Sequence, residues 1–280
     1  MKTFYANGKK LSEEITEYYK GAVSYSFANK LIRKKDVKLN GVRVKEDQKT
    51  SVGDKVEVYY DGRDERAEKI IFKDENILAV YKPSGITSED FYTLVKSNHQ
   101  GAGFIHRLDQ NTDGIMLFSL NENAETELLH GFKHRTFDKY YLTEVFGTPK
   151  KASDELVAYL LKDAKKGLVK IFNSPAYGGE KIITRYSLIK SSGETSILEV
   201  KLVTGKTHQI RAHLAHEGHF IIGDGKYGNE QINRKFHAKK QRLTAYKLLL
   251  KFDSKSPLYY LSGKEFVLPN DMLKQYLGSL

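Results

Sequence analysis

The chain is predicted to be an α+β protein. It reads as a small N-terminal domain at residues 12–60, a linker at 61–69, and a larger domain at 70–280 built on a mixed, mostly antiparallel β-sheet with flanking helices. Three observations predict this. Two short amphipathic stretches and a hairpin signal fall within residues 12–60. The run from Asp61 to Glu68 is charged and almost without apolar anchors, as a linker would be. Beyond it, short apolar runs bounded by turn residues outnumber helical patterns. A length of 280 residues, at about 150 per domain, also suits two domains.

In the small domain Ser12 is placed to cap a helix whose Ile15, Tyr18 and Tyr19 share a face, with Gly21 to stop it. Ser24 or Ser26 can cap a second helix that turns Phe27, Ala28, Leu31 and Ile32 inward. Its other face carries Lys30, Arg33, Lys34 and Lys35. Val37 to Leu39 and Val42 to Val44 flank Asn40-Gly41, a dipeptide suited to the positive φ angles of a tight hairpin turn. Ser51 to Asp54 then turns into an alternating strand, Lys55 to Tyr60.

The larger domain opens with apolar strands at 70–72 and 77–81, followed by Lys82-Pro83-Ser84-Gly85. Phe104 to Asp109 leads through the polar turn Gln110 to Gly114 into a buried strand, Ile115 to Phe118. A turn tied to a buried strand is a rigid mount for a reactive side chain. Asp109 and Asp113 can equally be ordinary turn formers, with Arg107 paired to one of them. Asn121 can cap a helix to about Arg135 with Ala124, Leu128, Leu129 and Phe132 on its apolar side. Lys133, His134 and Arg135 in its last turn suit the helix dipole. Strand 139–146 should set Tyr141 on one face and Tyr140 and Leu142 on the other. Runs 156–161, 168–172, 182–189 and 197–202 say sheet and nothing about chemistry.

Thr207 can cap a helix from His208 to Glu217, with Ile210 and Leu214 on one side and Arg211 one position round. Gly205 and Lys206 before it could hold phosphate through backbone amides, although the glycine-rich lead-in of a Walker loop is missing. His208 and His213 are five apart, on different helix faces, which excludes a shared metal. Residues 234–242 read as a basic loop, 243–252 as a final strand and 270–277 as a closing helix.

Composition narrows the function. Cysteine is absent, which excludes a disulfide framework, a thiolate metal site and a thiol nucleophile, and suits a reducing, cytoplasmic setting. Met1 to Tyr5 does not open a signal peptide, and no apolar run approaches the ~18 residues of a membrane span. The formal charge of +11, from 46 basic and 35 acidic residues, points to a polyanionic partner. Residues 200–251 hold eleven Lys/Arg against three Asp/Glu, so basic residues crowd one candidate site and favour a nucleic-acid substrate.

Three stretches carry a resemblance. His106-Arg107-Leu108-Asp109 with Thr112 and Gly114, Lys139-Tyr140-Tyr141-Leu142 leading to Gly147, and Thr204 to Leu214 resemble, in order and rough separation, the signatures of the RluA-type pseudouridine synthases. The resemblance spans roughly residues 12–252. The helix, basic helix, hairpin and strand of 12–60 are similar to the alpha-L RNA-binding domain, whose basic helix would lie against phosphates.

The resemblance implies isomerisation of uridine to pseudouridine in structured RNA, with no cofactor and no metal. Large-subunit rRNA ranks ahead of tRNA as substrate, and no protein partner is required of what would be a monomer. Asp109 would be the essential carboxylate, as nucleophile or base. Arg211 would keep it ionised. Tyr141 would stack on the base and serve late proton removal. Arg107 would fill the space left by the extruded base, and Leu108 and Ile210 would pack the pocket. Lys30, Arg33, Lys34, Lys35 and Lys206 would bind RNA. Gln110, Asp113, Thr244 and the stretch Ile86 to Glu89 depart from the family pattern. Two other readings stay open at this point: a binding protein of the same fold without catalysis, and a phosphate-handling enzyme using Gly205 and Lys206 with an acidic metal site. An isomerisation assay on RNA without metal separates all three.

Overall fold

A computed structural model describes residues 1–19, 23, 25–60, 68–163, 167–175 and 178–277. The chain divides into two compact units, Met1–Lys69 with Ser88–Ala102, and Ile70–Thr87 with Gly103–Leu280.

The first unit holds β1 (Lys2–Asn7), α1 (Leu11–Tyr18), α2 (Tyr25–Arg33), β2 (Val37–Leu39), β3 (Val42–Arg43) and β4 (Val52–Val58), and also α3 (Ser88–Asn98). Its strands form an antiparallel sheet in the order β1-β4-β2-β3. Strand β1 lies before the 12–60 stretch and yet pairs with β4, so this unit takes in the first eleven residues as well. Leu11, Ile15, Ala28, Leu31, Ile32, Val37, Val56 and Val58 make its core, which is why both helices carry apolar residues three and four apart. The Asn40-Gly41 turn forms with φ of 49° and 81°. Asn40 locks it further, accepting from the Lys55 backbone at 2.8 Å and donating to Asp54 at 2.9 Å.

Several local expectations change. Helix α1 begins at Leu11, so Ser12 is inside it and does not cap it. Asp47 takes the capping role from 35 residues away, accepting from the Ser12 backbone at 3.0 Å and from its hydroxyl at 2.7 Å. Gly21 and Ser24 lie outside the described residues, and Ser26 falls inside α2. Helix α2 ends at Arg33, so Lys34 and Lys35 belong to its C-terminal turn and not to its face. All four cations, Lys30 included, are exposed. The departing stretch at Ser88 starts helix α3, whose Phe91 and Val95 are buried one turn apart.

The second unit is organised by one sheet of eleven strands. In chain order these are β5 (Lys69–Lys73), β6 (Ile77–Lys82), β7 (Gly103–Phe104), β8 (Asp113–Ser119), β9 (Asp138–Phe146), β10 (Ser153–Asp163), β11 (Leu168–Phe172), β12 (Glu180–Ser191), β13 (Thr195–Leu202), β14 (Leu243–Leu249) and β15 (Glu265–Val267). The main path runs β11-β10-β12-β13-β9-β14-β8-β6-β5, with β15 on β14 and β7 on β8. The β14–β8 pair is parallel, while the pairs from β11 to β14 and the β6–β8 pair are antiparallel. This is the mixed, mostly antiparallel sheet expected from the sequence.

Burial explains the strand patterns. Strands β6 and β8 each have a neighbour on both sides and read as continuous apolar runs, with Leu78, Met116, Leu117 and Phe118 fully buried. Each such side chain contributes about 1.5–3 kcal/mol. Strand β12 alternates buried Ile182, Thr184 and Tyr186 with more exposed neighbours, the period-two signature. Helix α4 (Glu122–His134) starts under the expected Asn121 cap, which accepts from the Ala124 backbone at 2.9 Å. Helix α5 (Gln209–His216) lies near β10–β12 through Ala212. Helix α6 (Glu230–Lys235) occupies the start of what reads in sequence as a basic loop. The final strand is shorter than expected, ending at Leu249, and α7 (Lys274–Leu277) follows a single 3-10 turn.

Candidate active site

The Asp109 loop is held from three sides. Thr112 donates its backbone N–H to the Asp109 carbonyl at 3.0 Å, closing the turn that sequence predicts there. The Thr112 hydroxyl accepts from Gln241 at 3.0 Å, with both side chains buried. On another side the Lys82–Gly85 turn is laced to the loop. Gly85 N–H donates to the Gln110 carbonyl at 2.8 Å, and the Ser84 hydroxyl to the Asn111 carbonyl at 2.9 Å. The fully buried Lys82 ammonium donates to the carbonyls of Pro83, Ile86 and Gln110 at 3.0, 2.9 and 3.3 Å. His106 fixes the start of the loop. Its Nε2 accepts from the Leu117 backbone at 2.9 Å, and its ring stacks on Phe132 at 4.3 Å. An Nε2 that accepts cannot carry a proton. Burial, then the Lys139 charge, hold His106 neutral with its pKa down to about 3.

The loop runs straight into β8 at Gly114, which has φ 126°. A Cβ there would sit 2.2 Å from the Ala245 carbonyl oxygen. Only glycine lets β8 and β14 come this close, and their parallel register sets Asp113 opposite Thr244.

Arg211 reaches Asp109 from helix α5, 102 residues later in the chain. Its Nη1 donates to Asp109 Oδ2 at 2.9 Å. Its Nε and Nη2 make a bidentate pair with Asp224 at 2.7 and 2.9 Å. Asp224 Oδ1 also accepts from the backbones of Lys226 and Tyr227 at 2.8 and 3.1 Å. Burial alone would push the Asp224 carboxyl up, but the bonds and charge of Arg211 outweigh it and hold the group below its usual range. Arg211 itself loses from burial and gains more from its two carboxylates, so its pKa rises. One guanidinium thus serves two carboxylates, with the stronger geometry given to Asp224.

His208 stands at the same carboxylate. The hydroxyl of Tyr227 accepts from the Val169 backbone at 2.9 Å and is also hydrogen-bonded to His208 Nδ1 at 2.9 Å. His208 Nε2 lies 4.0 Å from Asp109 Oδ2. Burial lowers the His208 pKa and favours the neutral form. His208 has a left-handed backbone, φ 54°, and α5 starts only at Gln209, so Thr207 is not its cap. The buried Gln209 amide orders this corner instead. It accepts from the Thr204 hydroxyl (2.8 Å) and the Lys206 backbone (3.2 Å), and donates to the Ile183 carbonyl and the Thr184 hydroxyl, both at 3.1 Å.

Arg107, Leu108, Asp109, Tyr141, Lys206, Ile210 and Arg211 line one cleft of about 430 Å³. These are the candidate site residues of the larger domain. Lys30, Arg33, Lys34 and Lys35 lie in the other compact unit. Tyr141 enters from β9, between β13 and β14, and its buried phenol is pushed well up by desolvation and then by the Asp109 charge. Leu142, on the other face of the strand, goes to the core, as the alternation requires. Lys206 lines the cleft and pairs with Glu180. Among the described residues no group of three His, Asp or Glu side chains is arranged to hold a metal ion.

The sequence gives no site role to Asp224, His208, Lys133, Arg135 or Lys139. In the sequence Asp224 is one aspartate after a glycine, Gly223, with nothing local that marks Arg211 as its partner. Lys133 and Arg135 had an adequate explanation in the helix dipole, yet both line the cleft with Lys139.

A sequence model of the RNA pseudouridylate synthase family matches residues 76–216, a segment that includes the Asp109 loop, Tyr141 and Arg211. A Helicobacter pylori protein described as an uncharacterized RNA pseudouridine synthase is 37% identical over 182 residues, covering 63% of this chain and 72% of its own. A Rickettsia felis protein named ribosomal large subunit pseudouridine synthase C is 31% identical over 234 residues, covering 72% of this chain and 76% of its own. The solved structure of human RNA pseudouridylate synthase domain containing 1 aligns with a TM-score of 0.59 at 22% identity, over 77% of this chain and 96% of that one, which shows a shared fold. The chain therefore belongs to the RNA pseudouridylate synthase family, of the RluA type, and is an isomerase that forms pseudouridine in RNA.

Proposed function

We propose that the protein converts uridine to pseudouridine in large-subunit ribosomal RNA, with Asp109 as the essential carboxylate. The observation that carries the catalytic assignment is the Asp109–Arg211 pair at 2.9 Å in a cleft lined by cations. The name of the Rickettsia felis relative supports the choice of RNA. In the reaction the bond from uracil N1 to ribose C1′ breaks, the base turns, and a bond forms from C5 to C1′. C5 loses a proton and N1 gains one, so composition is unchanged.

Asp109 acts as nucleophile or base, and either role needs the carboxylate ionised. Arg211 supplies the cation that pairs with it, at 2.9 Å. Among the described residues the groups addressing the Asp109 carboxylate gather on Oδ2, which leaves Oδ1 to meet the ribose. The target base must leave its stack first, at a cost of a few kcal/mol. Arg107, exposed at the cleft, has the planar charged group to occupy the vacated space. Leu108 and Ile210 pack the uracil. Tyr141 arrives protonated, because burial and Asp109 both oppose its phenolate. Stacking on the base is the role its position supports best. Lys30, Arg33, Lys34 and Lys35 in the first unit add phosphate contacts that do not depend on sequence.

Pseudouridine mapping of large-subunit rRNA and tRNA, in cells with and without the protein, tests the substrate. At least one rRNA pseudouridine should disappear. A loss confined to tRNA would move the assignment, and no loss would refute it. In purified enzyme Asp109→Asn should lower turnover by roughly a hundredfold or more, with folding and RNA binding nearly intact. Turnover within about tenfold of wild type would sink the catalytic role of Asp109.

A further inference from the structure

Three cations on one side of the cleft play no part in the steps above. Lys133 and Arg135 close helix α4, and Lys139 opens strand β9. Among the described residues none of the three meets a carboxylate, in contrast to the other lysines nearby. Asp138, adjacent in the chain, is taken by Lys201 and Lys251, and Lys206 by Glu180. Burial, and after it the charge of Arg135, pull Lys139 below its ordinary pKa. An ammonium so placed gains from an arriving anion. Gly205 leaves room beside it, since a Cβ at that position would come within 3.3 Å of Lys139 Nζ.

The backbone supplies a second, independent observation. Arg135 has φ 58° and ψ 35°, the left-handed position that ends a helix. Glycine is favoured there because a Cβ crowds the following carbonyl, and asparagine is tolerated because its short amide can hydrogen-bond locally. The chain carries arginine instead, with its side chain on the cleft wall. The strained backbone is thus spent on a residue whose charge lies on the cleft wall.

We propose that Arg135 and Lys139, with the exposed Lys133, form a seat for a backbone phosphate of the RNA strand next to the target uridine. The seat rests on the reading of this cleft as the pseudouridine site. It lies in the catalytic unit itself and is separate from the basic helix of the first unit. Its task is to hold the strand while the uridine turns out toward Asp109.

The test measures binding of a labelled RNA stem-loop with uridines in its loop, across a salt series. Wild type, Arg135→Asn, Arg135→Lys and Lys139→Met are compared. Asparagine suits the left-handed backbone, so R135N should melt at or above the wild-type temperature while binding more weakly. R135N and K139M should each flatten the log–log salt slope by about 0.7 if the seated phosphate is single-stranded, or about 0.9 in duplex. R135K should keep the wild-type slope. Unchanged slopes in R135N and K139M would overturn the seat. Isomerisation of large-subunit ribosomal RNA by the wild type is followed in parallel. Its absence would refute the pseudouridine reading, while the binding slopes judge the seat alone.

Discussion

Asp113 and Thr244 stand opposite each other in the parallel β8–β14 pair, 131 residues apart in the chain. In sequence they are two separate departures from the RluA-type pattern. In the structure they are one feature. The Thr244 hydroxyl donates to Asp113 Oδ1, the Tyr81 hydroxyl donates to Oδ2 at 2.9 Å, and Tyr276 meets Thr244 at 2.8 Å. Burial still wins over these bonds and over the charge of Lys82, so the Asp113 pKa is raised. The folded protein therefore binds this proton more tightly than the unfolded chain. Its contribution to stability is full below the ordinary carboxylate pKa and is lost as pH rises through the raised one. Asp113→Asn removes that dependence. The melting temperature of D113N relative to wild type should climb as pH increases from about 4 and then level off. Each kcal/mol involved should appear as roughly 2–4 °C. A gap that does not change with pH would show that folding leaves the Asp113 pKa where the unfolded chain has it.

At the scale of an element, α5 shows how a helix start can be misjudged from sequence. Thr207 is the residue type that caps, and it stands in the right place. The backbone turns left-handed at His208 instead, and the helix begins one residue later. Order at this end comes from Gln209, whose amide is buried and bonded through both of its ends to Thr204, Lys206, Ile183 and Thr184. The same helix carries Arg211, so the amide also fixes the approach of the guanidinium to Asp109. Gln209→Ala should cost about 1–3 kcal/mol, because it strands buried partners. Thr207→Ala should stay within about 0.5 kcal/mol. Urea unfolding of both variants checks this. Equal losses would return the capping role to Thr207.

For the whole molecule, the charge of +11 is a statement about association and not about fold. The first unit presents Lys30, Arg33, Lys34 and Lys35, all exposed. Replacing Arg33, Lys34 and Lys35 by Ala should weaken RNA binding and flatten its salt slope, by about 0.7–0.9 for each phosphate that is no longer neutralised. The rate at saturating RNA should change far less than the rate at low RNA. A salt slope equal to wild type would mean that these cations do not dock RNA. Point substitution is a cleaner test than cutting near Lys69. Ser88–Ala102 counts with the first unit, where His99 pairs with Glu68 at 2.8 Å, so a deletion would strip partners from α3.

The sequence by itself determined the local pieces and the class of fold. The Asn40-Gly41 hairpin, the Asn121-capped helix, the apolar runs of β6 and β8 and the faces of β9 all follow from side-chain period and turn chemistry, which are carried by adjacent residues. It also pointed to Asp109, Tyr141 and Arg211, but through resemblance and not through spacing. Only the tertiary structure decided who meets whom. The Arg211–Asp109 bond, the Asp224 clamp, the Thr244–Asp113 contact and the turn of Lys133 and Arg135 into the cleft each join elements that are not neighbours in the pattern. A period tells which face of a strand is buried; the order of strands in the sheet tells which distant residue lies across from it. That order, with β14 set parallel to β8 and antiparallel to β9, places a loop and a helix 102 residues apart around one carboxylate.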